Sequence, residues 1–111
     1  MNQTIIEGTV TKSEYIEKGS HILTLSHLEN KRFYRGNDGT IKEELNEIKI
    51  EAYGETMKKS FVSQWNANAQ FGKFPCRVVG RLKTVDWVTD GKRHKEVRLV
   101  AEHIDFLSVT A

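Results

Sequence analysis

The most informative stretch of the sequence is residues 76–107, CRVVGRLKTVDWVTDGKRHKEVRLVAEHIDFL, which predicts two strands joined by a tight turn. Residues 76–88 and 96–107 are rich in β-branched and aromatic side chains, which favours strands. Between them, Thr89-Asp90-Gly91-Lys92 carries the Asp-Gly pair that is typical of a two-residue hairpin turn.

The first of these two strands places cations and an indole on one face. Alternate residues of a strand point to the same side, and that set is Arg77, Arg81, Lys83 and Trp87. Such a face suits a flexible polyanion with stackable bases, which is single-stranded nucleic acid, with Lys92 and Arg93 at the turn as further phosphate ligands. The alternative is a solvated outer face with Trp87 packed under the turn.

Composition is that of one soluble globular domain, spanning residues 1–111. Hydrophobic residues make up 38% and the net charge is only +2, but the charge is clustered. Residues 71–98 hold eight basic and three acidic side chains, whereas residues 41–55 hold five acidic and two basic ones. A basic cluster is the electrostatic footprint expected of a nucleic-acid-binding protein.

Cys76 is the only cysteine, so no disulfide can form within the chain, and we expect a protein of the cytoplasm. It lies in an apolar run, which favours a buried side chain over a reactive thiol. No signal peptide and no apolar run of membrane-spanning length is present, so we expect no membrane association.

Upstream of the hairpin, the pattern predicts three more strands and one helix. Residues 3–11, with a bend or bulge at Gly8, and residues 21–28 are strands, separated by a polar connection that ends in the turn Lys18-Gly19-Ser20. Residues 45–53 alternate cleanly and are the third strand. An apolar stripe after Gly54 predicts a helix in which Trp65 faces the core.

Residues 30–44 are the longest stretch predicted to be irregular. Its Arg35-Gly36-Asn37-Asp38-Gly39-Thr40 has the residues of a hairpin tip. Phe33 and Tyr34 precede this tip among three cations, which makes the two rings candidates for base stacking. Alternatively, whichever ring faces inward anchors the loop.

The predicted element order is β, β, long hairpin loop, β, α, β, β. An all-β chain of five strands with one helix between strands 3 and 4 is the order of the OB fold. This fold is a five-stranded, partly open Greek-key barrel whose sheet face and loops bind oligonucleotides.

Three segments resemble the bacterial-type single-stranded DNA-binding protein (SSB) family. Residues 78–87, VVGRLKTVDW, are similar to the family's fourth-strand motif, an apolar-x-Gly-x-Leu-x-Thr run that ends in tryptophan. Residues 97–107 resemble its closing strand, and Ile50–Gly54 resembles the end of its third strand. The likeness extends over residues 2–107.

The resemblance implies a non-enzymatic protein without cofactor that wraps single-stranded DNA with little sequence preference in replication, recombination and repair. It implies a homotetramer, or a dimer, of OB domains. On this resemblance Trp87 and Tyr53 match stacking aromatic residues and Lys83 a basic contact. Lys49 matches a cation that follows another family tryptophan by two residues.

Several positions depart from the family pattern. Glu47 replaces that second tryptophan, and Glu55 stands where lysine is frequent. The family's acidic C-terminal tail, which recruits replication and repair proteins, is not in this sequence. We therefore expect either a trimmed domain or a tail-less relative similar to primosomal replication protein N.

Two other classes of protein are compatible with an OB-like chain: an enzyme and a self-associating module. An enzyme is disfavoured, because the four histidines are scattered, no cysteine pair exists to bind zinc, and no phosphate-binding glycine loop occurs. An OB module that only self-associates is the stronger rival, since Glu47, Glu51 and Glu55 would lie on the binding strand.

Overall fold

The structure is a computed structural model and describes residues 3–107. It contains five strands and one helix, namely β1 (Thr4–Lys18), β2 (His21–Arg35), β3 (Ile41–Tyr53), α1 (Glu55–Ala67), β4 (Phe74–Thr89) and β5 (Lys92–Phe106). The strands form a closed barrel in the order β1-β2-β3-β5-β4. All neighbours are antiparallel except β3 and β5, which are parallel. The predicted all-β fold with a helix between the third and fourth strands is confirmed.

Strand alternation fills the barrel interior with apolar side chains. In β3, Ile50 and Ala52 are fully buried and Ile48 is partly buried, as the alternating pattern predicts. The fully buried apolar residues of the described chain are Val10, Leu28, Ile50, Ala52, Phe61, Phe74, Cys76, Val78 and Leu99.

Helix α1 packs onto the core through an aromatic cluster. Its Phe61 ring lies edge-on to Phe74 and Phe106, with centroid separations of 6.1 Å and 5.5 Å. Trp65 is partly buried against the same cluster, and its indole N–H donates to Ser13 Oγ at 3.0 Å. The prediction that Trp65 faces the core is confirmed.

The strands are longer than the sequence indicated. β1 continues through the segment predicted to be a polar connection, and residues 30–44, predicted to be irregular, form a regular two-stranded extension of β2 and β3. Residues 31–35 and 41–47 of the β2–β3 extension are exposed, so the hydrophobic alternation that marks a half-buried strand is absent there. In the added part of β1 the alternation is absent because Ser13 and Tyr15 pair with the buried polar residues Ser26 and Thr24 of β2. The predicted tip is confirmed at Gly36–Thr40, where the Gly36 N–H donates to the Thr40 carbonyl at 2.9 Å.

Gly8 and Gly80 permit close contact between strands. A Cβ on Gly80 would lie 2.0 Å from the Val100 carbonyl oxygen, and one on Gly8 would lie 2.5 Å from that of Glu29. The sequence predicted a bend or a bulge at Gly8, and the bulge is wrong in position, because the β1 irregularity falls between Val10 and Lys12. Gly8 is required by the proximity of β2.

Candidate nucleic-acid interface

The β4–β5 register carries the face that the sequence singled out. The Asp90-Gly91 turn has positive φ angles of 51° and 76°, as the predicted hairpin requires. In the register set by this turn, Trp87 pairs with His94 and Lys83 pairs with Arg98. Directly paired residues lie on the same side of a sheet, so these four side chains share one surface.

Strand β3 extends this surface on the other side of β5. Lys49 pairs with Arg98, and Glu51 pairs with Val100. Tyr53 follows on the same side of β3, because it has the same parity as Lys49 and Glu51. We call this surface the β3–β5–β4 face, defined by Lys49, Glu51, Tyr53, Arg81, Lys83, Trp87, His94, Glu96 and Arg98.

Glu51 organises the Tyr53 end of this face. Its side chain is only 2% exposed, because Tyr53, Lys83 and Arg98 cover it. Tyr53 Oη donates to Glu51 Oε1 at 2.6 Å, Lys83 Nζ donates to the same oxygen at 2.7 Å, and Arg98 Nη1 donates to Oε2 at 2.8 Å. A buried carboxylate with these three donors fixes the positions of the ring and both cations.

The pKa shifts agree with this geometry. Burial by itself would raise the pKa of Glu51, but the hydrogen bonds from Lys83, Tyr53 and Arg98 outweigh it and hold the pKa below its ordinary value. The hydrogen bond to Glu51 raises the pKa of Lys83 and that of Tyr53. Glu51 and Lys83 are therefore both ionised near neutral pH.

The two aromatic side chains of the face are accessible. Tyr53 is 50% exposed, and Lys83 Nζ lies 6.0 Å from its ring centroid. Trp87 is 38% exposed and stacks on His94 at 5.3 Å with an interplanar angle of 20°. The prediction that Trp87 is an outward side chain is therefore met, and one face of its indole is covered by His94.

The remaining predicted cations of this region differ in placement. Arg81 lies on the β3–β5–β4 face and is paired with Glu102 at 3.0 Å. Lys92 pairs across the turn with Thr89, which has the parity of Trp87. Arg93 lies on the reverse side of the hairpin, bonded through two nitrogens to Asp86 at 3.1 Å.

Arg77 also lies apart from the aromatic side chains. It is six residues before Lys83 on β4, or roughly 20 Å along the strand. Its guanidinium pairs with Glu7 of β1 at 2.8 Å.

The two rings of the β2–β3 extension point to opposite sides. Phe33 pairs with Glu43, has the parity of the β3 residues of the face, and is highly exposed. Tyr34 is on the reverse side, where the Arg32 guanidinium carbon lies 6.0 Å from its ring centroid. The structure thus places Tyr53, Lys83 and Lys49 close together on the β3–β5–β4 face, and it places Phe33 on the same side of the sheet.

Sequence reasoning missed His94, Glu96 and Arg98. Counting outward from the Asp90-Gly91 turn gives the pairs Trp87–His94 and Lys83–Arg98, so the register of the hairpin contained the signal. Glu96 accepts from Arg98 Nε at 2.8 Å and pairs with Lys49 Nζ at 2.9 Å.

Within residues 3–107, no group of three or more His, Cys, Asp and Glu side chains is placed to hold a metal ion. In the same range, no helix has the length and apolar character needed to cross a membrane.

The closed five-stranded barrel with one helix between β3 and β4 is an OB fold, a class of domain whose sheet face and loops commonly bind oligonucleotides. No family model matches the chain. It is similar to a single-stranded DNA-binding protein of Aquifex aeolicus (strain VF5), with 25% identity over 111 residues, covering 97% of this chain and 71% of that protein.

Solved structures agree on the fold. The Plasmodium falciparum SSB in complex with ssDNA superposes with a TM-score of 0.71 at 15% identity, covering 97% of this chain and 96% of that one. The small single-stranded DNA-binding protein of Streptomyces coelicolor gives 0.61 at 18% identity, covering 94% and 92%. The resemblance to single-stranded DNA-binding proteins that the sequence indicated is confirmed.

Proposed function

We propose that this chain binds single-stranded DNA with little sequence preference and protects it during replication, recombination and repair. The observation that carries the proposal is the half-exposed Tyr53 ring, held by the buried Glu51 beside Lys83 on the same sheet face as Trp87. Bases would stack on the rings while cations contact the phosphates. Every base has a π face, so this kind of contact tolerates any sequence.

The proposed site comprises three aromatic and four basic side chains: Tyr53, Trp87, Phe33, Lys83, Lys49, Arg81 and Lys92. We leave Arg93 and Tyr34 out because they lie on reverse sides of their hairpins, and Arg77 because it is distant from the rings. Stacking contributes about 1–3 kcal/mol per base, so three rings would supply roughly 3–9 kcal/mol per domain before the cost of ordering the strand.

Ion pairs within the proposed site reduce the electrostatic contribution to DNA binding but do not abolish binding. Lys49, Lys83 and Arg81 each have a carboxylate partner. Replacing an exposed ion pair, such as that of Arg81 and Glu102, with a phosphate contact costs about 0–1 kcal/mol, which is less than one stacked base contributes. Lys83 is 43% exposed and can contact a phosphate while its bond to the buried Glu51 is kept. Binding should therefore depend more on stacking than on charge.

Binding of this kind needs no catalysis and no cofactor, and we propose none. We also propose a cytoplasmic, nucleoid-associated protein, since its thiol is buried and unpaired. We also propose a homo-oligomer of OB domains, a tetramer or a dimer, which is what the family resemblance of the sequence implies. Replication and repair proteins would be partners if the full-length protein carries an acidic tail.

The test is a gel shift with poly(dT) of about 35 nucleotides, long enough for several OB domains, at low and at moderate salt. We expect binding in both conditions, with a log–log salt slope shallower than about −3 per domain, the value for four unpaired cations. Light scattering with and without the oligonucleotide would give the number of subunits.

A second candidate is an OB module that self-associates and does not bind DNA. It is favoured by the pairing of acids with five of the six predicted cations: Lys49, Arg77, Arg81, Lys83 and Arg93. Absence of any shift at low salt would support this candidate.

A further inference from the structure

Five charged side chains on the β3–β5–β4 face form one chain of alternating sign. Lys83 binds Glu51, Glu51 binds Arg98, Arg98 binds Glu96, and Glu96 binds Lys49, with separations of 2.7–2.9 Å. Each oxygen of the two carboxylates has a cationic donor. Three cations and two anions leave a net charge of +1.

The two acids differ in accessibility. Glu51 is enclosed, with its side chain 2% exposed, whereas that of Glu96 is 24% exposed. Opposite charges within 3 Å of each other cancel at the Debye length of about 8 Å that applies at physiological salt. An approaching nucleic acid therefore experiences one positive charge where the sequence places three.

Single and double strands differ in what they offer such a face. A duplex presents its phosphates and keeps its bases stacked inside, and its non-specific binding depends on phosphate neutralisation. A single strand also presents bases to aromatic side chains. A face with most of its positive charge neutralised but with accessible rings at Tyr53 and Trp87 attracts the duplex less and retains stacking with the single strand.

We propose that Glu51 and Glu96 determine specificity, because they pair with Lys83, Arg98 and Lys49 and so suppress binding to double-stranded DNA. The inference rests on the proposed single-strand binding of the same face. In this proposal Glu51 and Glu96 increase the preference for single-stranded over double-stranded DNA.

Glu96→Gln tests the inference with little risk to folding, since Glu96 is partly exposed and Gln has the same size and still accepts hydrogen bonds. Binding of a dT oligonucleotide and of a mixed-sequence duplex is measured from 50 to 200 mM salt. One released cation adds one phosphate contact, so the fold-loss of affinity between 50 and 200 mM salt should be about 3.5 times larger than in the wild type for the duplex and about 2.6 times larger for the single strand. At 50 mM we expect duplex affinity to rise about threefold or more, with a smaller gain for dT.

Asp105→Asn is the matched control, because it removes one negative charge from the same strand. It lies nine residues from Glu96, or roughly 30 Å along β5, and its partner is His103. We expect the ratio of single-strand to duplex affinity to fall in Glu96→Gln and to be unchanged in Asp105→Asn.

Equal changes for both nucleic acids, no change in Glu96→Gln, or the same change in Asp105→Asn would overturn the inference while leaving single-strand binding intact. A wild-type protein that binds no dT oligonucleotide at 50 mM salt, with Glu96→Gln equally inactive, would overturn the proposed function as well.

Discussion

Replacing Trp87 by Ala should weaken single-strand binding without unfolding the domain. Trp87 lies four residues beyond Lys83 on β4, about 13 Å along the strand, in the part of the hairpin close to the turn. Its indole stacks on His94, which is also on the hairpin, and it is not part of the buried core. The barrel should therefore keep its thermal stability within a few degrees.

The size of the effect follows from the geometry. His94 covers one face of the indole, so one face remains to stack a single base. Loss of one stacked base costs about 1–3 kcal/mol, which corresponds to an increase in Kd of about 5- to 150-fold per domain. Because the substitution removes no charge, the slope of log affinity against log salt should be unchanged.

Tryptophan fluorescence gives a direct assay, since the chain contains only Trp65 and Trp87. Trp65 lies on α1 and packs between the helix and the barrel, with its N–H bonded to Ser13, whereas Trp87 is on the proposed site. Titration with a dT oligonucleotide should quench the wild type, and Trp87→Ala should lose most of that quench. Trp65→Phe is the control, and it should keep the quench.

A quench that survives intact in Trp87→Ala would refute the assignment of the face. So would a change in Kd of less than twofold with unaltered stability. Either result would mean that DNA binds to another surface of the barrel.

Three further outcomes test the fold and the Glu51 network. Gly80→Ala should destabilise the barrel by about 1–3 kcal/mol or more in denaturant unfolding, because its Cβ would collide with the Val100 carbonyl, whereas Gly91→Ala at the open turn should cost less. Burial raises the pKa of Cys76 to about 12, so the native protein should resist thiol reagents at pH 8 and react only when unfolded; rapid labelling would contradict this burial. The lowered pKa of Glu51 means that its ionised form stabilises the fold above the ordinary carboxyl pKa of 4.5, and this stabilisation is lost as the pH falls through the folded-state pKa. Glu51→Gln should therefore show a smaller loss of Tm than the wild type between pH 5 and 3. An acid profile of Tm equal to that of the wild type would contradict the hydrogen bonds assigned to Glu51.

Local sequence determined most of the elements. The Asp90-Gly91 pair fixes the turn and hence the β4–β5 register, since a two-residue loop of this type allows a single alignment of its strands. Strict alternation in β3 predicted that Ile48, Ile50 and Ala52 would face inward. These features depend on neighbours within one or two elements, so pattern and turn chemistry suffice to predict them.

Tertiary structure decided how the barrel closes and which charges meet. The pairing of β1 with β4 and of β3 with β5 brings together residues distant in sequence, and no local pattern encodes it. Glu51 lies on the outward parity of β3, but the fold buries it beneath Lys83 and Arg98 from the neighbouring strands. Sequence placed the cations on this face, whereas only the closed sheet, by setting strands less than 5 Å apart, gave them carboxylate partners.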